Sequence, residues 1–435
     1  MNRLTHILPV MSALMCLALS CKAQTDLEDY AVQFKTRFAF MQDVIFNTPS
    51  FETPAPSPSI TTGTRVNEID ETIDRNIDML KGKTGLSLYG QAYYRPISGS
   101  VSDTEDTYSR YNSRWQVGIE WNYFQSALYK NADRIRELRL QGENEQLEFA
   151  RLSLDQTVRQ YREDVRRRYD SMLMYVLQMH SDNLDLLSRT QMSLLHNGKL
   201  SSDELLKVIG EKAETDNRLT AIKADTSLSP QPSAPLASVV QIDTTLLLRH
   251  VAMCSHDIRR LELEQEILEC RYRDANYLKT TSITPFISYS YYTRPEIRNA
   301  HNLDIGISFR LPLSTETRRQ RNAIKAEINL KDQYRQQVIG RITADVRALL
   351  HDITIQNRNI RGEMERIDRL KEYISDRSVS YANVSGEYNY LDRLQEYNTL
   401  LASWERLLTF QYQRDCSLIE LQNYILDKSI TDFIK

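Results

Sequence analysis

From Trp115 to Gly198, and again from Leu303 to Gly386, the chain repeats one arrangement of apolar and polar positions, displaced by 188 residues without insertion or deletion. Trp115, Val117, Ile119, Trp121 and Tyr123 correspond to Leu303, Ile305, Ile307, Phe309 and Leu311. Between them, Gln116, Gly118, Glu120 and Asn122 correspond to Asp304, Gly306, Ser308 and Arg310. A period of two predicts a strand with one apolar and one polar face. The period then changes. Ala150, Leu154, Val158, Tyr161, Val165, Met172, Val176 and Met179 are answered by Val338, Ile342, Val346, Leu349, Ile353, Ile360, Met364 and Ile367. Steps of three and four predict a helix carrying a coiled-coil seam.

Each half therefore predicts the order helix, strand, strand, very long helix, turn, helix. In the first repeat, 24–223, strands are expected at 86–94 and 115–123 and a helical hairpin over 125–223, its first helix running to about 195. In the second, 239–435, a helix is expected over 244–279, strands at 285–292 and 303–311, and a hairpin over 314–429 whose first helix ends near 380. Pro230, Pro232 and Pro235 mark 224–238 as a linker that cannot continue a helix. No proline occurs from Ile97 to Ser229 or after Pro312, and only 13 glycines serve the chain, so little interrupts the helices. About 70 residues of helix extend roughly 105 Å. A seam that long needs a partner. Beyond Gly198 the chain resumes with Asp203-Glu204-Leu205-Leu206, and beyond Gly386 with Leu391-Asp392-Arg393-Leu394, so a second helix returns along the first at each glycine.

The strands decide between a soluble coiled-coil protein and something else, because four strands cannot close a barrel and would leave edges and an apolar face uncovered. Trp115, Trp121, Tyr123 and Phe309 near strand ends, with Tyr89, Tyr93, Tyr94, Tyr289, Tyr291 and Tyr292 in the preceding strands, read as an outward, lipid-facing set with interfacial girdles. About nine residues per strand suits a tilted crossing. A sheet packed on a soluble core is the alternative.

Residues 1–23 have the layout of a secretory leader, with Arg3, an apolar run from Ile7 to Leu19, and small residues after it. Cleavage after Ala23 and lipoprotein processing at Cys21 both fit. The first is favoured, because Ala18 stands where a lipobox usually has Leu. No other stretch reaches the ~18 consecutive apolar residues of a membrane helix, so strands would have to carry the chain across a bilayer. The formal charge is −3, from 55 basic and 58 acidic residues, and becomes −5 when Arg3 and Lys22 leave with the leader. Such a balance gives no nucleic-acid footprint. Three cysteines remain, Cys254, Cys270 and Cys416; the first two fall on one predicted helix roughly 24 Å apart, too far to pair. His250, Cys254 and His256 lack a fourth metal ligand and read as ordinary helix surface. No catalytic constellation, cofactor loop or metal site is recognised, and the chain reads as a non-enzyme.

Pro285-Phe286-Ile287-Ser288-Tyr289, Leu303-Asp304-Ile305-Gly306-Ile307-Ser308-Phe309-Arg310-Leu311-Pro312-Leu313 and Arg318-Arg319-Gln320-Arg321-Asn322-Ala323 together resemble the TolC family of outer-membrane efflux proteins. Ser314-Thr315-Glu316-Thr317 replaces that family's usual Gly-Gly. The resemblance implies a mainly α fold with a membrane β-barrel: a homotrimer in which each protomer gives four strands to a twelve-stranded barrel and coiled-coil hairpins to a periplasmic tunnel. It implies a Gram-negative outer-membrane location and partnership with a periplasmic adaptor and an inner-membrane pump, as a passive exit duct for efflux or type I secretion. Gly198, Lys199, Leu200, Gly386 and Glu387 would then be adaptor-contacting tips, and Asp392, Glu204, Asp203 and Tyr388 would line the periplasmic aperture. Gln116, Glu120, Asp304, Ser308 and Arg310 would face the barrel lumen. A non-transporting envelope protein built from coiled coil is the second reading.

Overall fold

The computed structural model describes residues 32–39, 60–94, 113–122, 127–198, 201–224, 240–275, 282–293, 300–310, 315–383, 390–425 and 428–434. The expected leader with Cys21, the proline-rich 48–59 stretch and nearly all of the expected linker lie outside these. The described elements are α1 (32–39), α2 (Ile60–Lys81), β1 (Leu86–Tyr94), β2 (Ser113–Trp121), α3 (Ala127–His196), α4 (Ser202–Lys223), α5 (Thr244–Cys254) and α6 (His256–Asp274). They continue with β3 (Ser282–Thr293), β4 (Ala300–Arg310), α7 (Glu316–Asn383) and α8 (Tyr390–Gln422), and a 3-10 turn at Ile430–Phe433 closes the series. No described helix is long and apolar enough to cross a membrane.

The seam governs both long helices. On α7, Ile342, Val346, Ile353, Ile360, Ile367 and Ile374 are buried, and on α3, Val165, Met172, Val176 and Met179 are. Five of the α7 positions follow one another at steps of seven, the spacing that keeps a single stripe against a partner.

The chain forms two compact units, each drawing on both repeats: residues up to 56 with 155–249 and 344–435, and residues 57–154 with 250–343. In the second unit α6 is flanked by the starts of α3 and α7. Leu140 and Leu147 of α3 pack on Leu263, Ile267 and Cys270 of α6. Arg271 and Arg134 clamp the buried Glu137 at 2.7 and 2.5 Å, and Lys331 and Arg335 of α7 reach Glu264 and Glu262, both at 2.6 Å. α2 joins α3 through Gln146 Nε2, which donates to Asp70 at 2.5 Å, with Ile77 buried.

In the first unit α8 is the central helix. It buries Leu394, Tyr397, Leu400, Leu401, Trp404, Leu407, Leu408, Leu418, Ile419 and Leu421. α1 adds Phe34, stacked on Tyr397 at 3.9 Å, and Phe38, edge-on to Trp404. Antiparallel pairing of α3 with α4 is fixed by Lys223–Gln178, Ser181–Asp216 and Lys212–Asp185. The chain end is tied back as well: Asp243 N donates to Phe433 O, Ile242 bridges Ile434, and the Asn357 amide clamps the backbone of Val240.

One expected helix is two. The span 244–279 breaks at Ser255, whose φ of −72° and ψ of 148° are extended. Ser255 occupies the N-cap position of α6 without a side-chain cap hydrogen bond, two residues before Asp257 in its first turn, and its extended backbone interrupts the apolar periodicity running through it. Cys254 and Cys270 therefore lie on different helices, and Cys254, Cys270 and Cys416 are all unpaired thiols.

Arg414 and Asp415, adjacent on α8 and fully buried, pair at 2.8 Å, and Tyr169 of α3 donates to the same carboxylate at 2.7 Å. Burial pushes the Asp415 carboxyl up against the pull of Arg414 and Tyr169. Removing one member leaves the other charge without compensation in a dry site. Arg414→Ala should lower the unfolding free energy of the purified protein by roughly 3–5 kcal/mol. A loss below about 1 kcal/mol, the scale of an exposed pair, would contradict this account of the α3–α8 contact.

Candidate functional site: a two-faced sheet and the helical turns

The four strands form one antiparallel sheet in the order β1-β2-β3-β4, leaving β1 and β4 as edges. The register sorts every side chain onto one of two faces. Leu88, Ile119, Ile287 and Ile305 form one row across all four strands, and Val117, Tyr289 and Leu303 lie in the next. Toward the hairpin loops this face ends in Trp115, Tyr291 and His301, with Tyr94 beyond them; toward the helices it ends in Trp121 and Phe309. The Trp121 indole donates to Thr84 O at 3.1 Å, a ring with an apolar body and a satisfied polar tip. These apolar residues are exposed: Leu88 by 75%, Ile305 by 74% and Phe309 by 72%.

The opposite face is polar and crowded. Gln116, Glu120, Asp304, Ser308 and Arg310 all lie on it. Ser87 donates to Glu120 at 2.9 Å, Gln116 to Ser288 at 3.0 Å, and Arg114 to Gln116 at 2.9 Å. Thr284, Ser288 and Ser290 are buried here by their neighbours. Tyr89, Tyr93 and Tyr292, expected in the outward set, also belong to this face. Their registers with Gly118 and Arg114 put them opposite polar-face partners, so the aromatic composition of β1 and β3 did not report direction. Sequence reasoning likewise missed that Tyr89 and Phe286 lie over Gly118 and Gly306. The signal available was the recurrence of those two glycines in mid-strand.

Of the residues expected near the turns, Gly198 has φ of +66°, the left-handed conformation that ends α3 without steric cost. Asp203 and Glu204 occupy the exposed first turn of α4, and Asp392 the half-buried first turn of α8, where the helix dipole favours a carboxylate. Leu184 and Leu187 of α3, Val208 of α4 and Leu394 of α8 form one cluster. It joins the beginning of the second return helix to the first hairpin. Lys199, Leu200, Gly386, Glu387 and Tyr388 lie outside the described residues.

Farther along the same helices a polar knot replaces the leucines. His180 of α3 is buried, with Nδ1 against Glu405 Oε1 and Nε2 2.6 Å from Asn398 Oδ1, both on α8. Arg218 of α4 donates to Glu405 Oε2 at 2.8 Å, and the Asn398 amide donates to Glu211 of α4 at 3.1 Å. Three helices from both repeats thus meet at one imidazole, and each of its nitrogens faces an acceptor. Burial opposes ionisation of Glu405, but the hydrogen bond and charge of His180 and the charge of Arg218 outweigh it and hold the carboxyl below its usual range.

No family model matches the chain, and no curated protein matches it in sequence. Among solved structures the chain is similar to OprN, an outer-membrane channel, at 11% identity over 85% of this chain and 86% of that one, with a TM-score of 0.56. It is similar to the CmeC outer membrane channel of Campylobacter jejuni at 12% identity over 86% and 85%, TM-score 0.53. It is also similar to the MtrE outer membrane channel of Neisseria gonorrhoeae, solved in an open state, at 12% identity over 84% and 85%, TM-score 0.53. The fold of this chain, mainly helical with one four-stranded antiparallel sheet, is the fold of these channels.

A carboxyl held below its unfolded value stabilises fully above that value, and the contribution disappears as pH falls through the depressed folded value. Acidification should therefore cost wild-type protein stability at the acid end of the carboxylate range. Glu405→Gln should flatten that part of the profile. Superimposable stability–pH slopes for the two proteins would remove Glu405 from the account.

Proposed function

We propose that this chain is one of three protomers of an outer-membrane exit duct that passively conducts solutes delivered by an inner-membrane pump through a periplasmic adaptor. The observation that carries the reading is the exposed apolar face of the sheet. Each large side chain left in water forgoes about 1.5–3 kcal/mol of burial, so the face as a whole forgoes more than the roughly 5–15 kcal/mol of net stability of an ordinary domain. Lipid removes that penalty, and strands of 9 to 12 residues suit a tilted crossing. Both edges must still be paired, because unpaired backbone groups cannot be left in hydrocarbon. Three copies of β1-β2-β3-β4, each β4 beside the next β1, close a twelve-stranded barrel and remove every edge.

In this reading the crowded polar face lines the lumen, with Gln116, Glu120, Asp304, Ser308 and Arg310 in contact with water. The helical hairpins extend into the periplasm of a Gram-negative cell. Gly198, Lys199, Leu200, Gly386 and Glu387 form the tips met by the adaptor. Asp392, with Glu204, Asp203 and Tyr388, lines the aperture at that end. What passes is selected by the pump, since a wide water-filled bore offers few discriminating contacts. The likeness to channels of the same fold supports the reading, as does the position of Asp203, Glu204 and Asp392 in the first turns of the return helices.

The protein purified in detergent should be a trimer and should form ion-conducting pores in planar bilayers. A stable monomer soluble without detergent would instead favour a structural coiled-coil protein. In pores that do form, Asp392→Ala should change conductance or block by divalent cations from the helical side. Unchanged currents through an intact trimer would take Asp392 out of the aperture.

A further inference from the structure

Two glycines stand in mid-strand on the polar face, Gly118 in β2 opposite Tyr89 in β1, and Gly306 in β4 opposite Phe286 in β3. A glycine there weakens a strand and exposes its backbone. Here each is covered by its partner's ring. A Cβ built on Gly118 would lie 2.7–2.8 Å from Tyr89 ring atoms, and one built on Gly306 would lie 2.6 and 2.8 Å from Phe286. Real Cβ atoms essentially never sit so close, so any side chain at either glycine must displace the ring that covers it. The Tyr89 hydroxyl also lies 3.4 Å from the Gln116 amide, which is itself held by Ser288.

The arrangement occurs twice without being a simple copy. Gly118 and Gly306 match in the 188-residue repeat, whereas Tyr89 precedes its glycine by 29 positions and Phe286 by 20. Hairpins of different lengths thus bring an aromatic ring over each glycine. The two rings are offset: Tyr89 shares a row with Gly118, Ser288 and Asp304, and Phe286 lies two residues nearer the helices, level with Glu120 and Gly306.

We propose that these two glycine–aromatic pairs set the bore of the barrel: the glycines let Tyr89 and Phe286 lie flat on the inner wall, and so determine the largest solute that the barrel itself admits from the hairpin-loop side. The proposal rests on the duct reading. A twelve-stranded barrel has a backbone radius of about 12 Å. Six rings lying flat take about 4 Å from the wall, and standing upright they take about 6–7 Å at two levels, enough to change the size cut-off.

The test is the size of poly(ethylene glycol) admitted from the hairpin-loop side of pores in planar bilayers, since polymer added on one side reports the opening on that side. Gly118→Ala and Gly306→Ala should each lower the admitted radius by about 1.3- to 1.6-fold. In Tyr89→Ala/Gly118→Ala, where no ring remains to be lifted, the bore should return to at least its wild-type width. Tyr89→Trp keeps both glycines and needs no new space in the wall; a flat ring of equal thickness predicts a cut-off unchanged from wild type. An unchanged cut-off in the alanine variants, narrowing that survives removal of Tyr89, or marked narrowing in Tyr89→Trp would each overturn the proposal. Failure of wild-type protein to form pores would overturn the duct reading instead.

Discussion

The constraint on which the rest depends is that the sheet has an apolar face and two edges with nothing among the described residues to cover them. Rows such as Leu88-Ile119-Ile287-Ile305 are contiguous across all four strands, so the exposed surface is a continuous band and not scattered side chains. Trp115 and Tyr291 bound it at one end, and Trp121 and Phe309 at the other. Such a surface is unstable in water and suited to a bilayer, where rings favour the two interfaces and aliphatic side chains the interior. The polar face then acquires its meaning from the apolar one. If lipid is outside, Gln116, Asp304 and Arg310 face an enclosed aqueous space.

The helices solve a different problem, that of holding long rods together without a globular core. Apolar seams supply most of the cohesion but do little to fix which helix lies beside which, since one leucine stripe fits another. Polar contacts at a few seam positions do that. His180 joins α3 and α4 to α8, and the Arg414–Asp415–Tyr169 group joins α3 to α8 again. A polar group placed inside a seam is satisfied in one register only, which gives specificity at some cost in stability. Both knots connect the first repeat to the second.

Much of this was legible in the sequence, for a physical reason: strand and helix periods are local, and the repeat wrote each of them twice. β1 at Leu86–Tyr94 and the α7 seam from Ile342 to Ile374 follow directly from the spacing of apolar residues. The break at Ser255 was hidden because apolar positions continue on both sides of it. The face assignment of Tyr89, Tyr93 and Tyr292 was hidden because tyrosine suits either a lipid interface or a polar wall, and only pairing register separates the two. The polar knots were invisible to any hydrophobic pattern. At the positions equivalent to His180 and Tyr169 the second repeat has Asp368 and Asn357, and Asn357 serves instead to clamp Val240. The repeat therefore predicted the scaffold, and its exceptions carry the contacts that distinguish one half from the other.

The claim that the apolar face meets lipid can be tested with the three tryptophans of the chain, Trp115, Trp121 and Trp404. Trp115 and Trp121 lie on that face, whereas Trp404 is buried in α8. In single-tryptophan variants reconstituted into bilayers, lipids brominated along the acyl chain should quench Trp115 and Trp121 strongly and leave Trp404 nearly unaffected. Equal, weak quenching at all three positions would mean that the face is covered by protein or water, and would contradict the account from which the barrel, the lumen and the duct all follow.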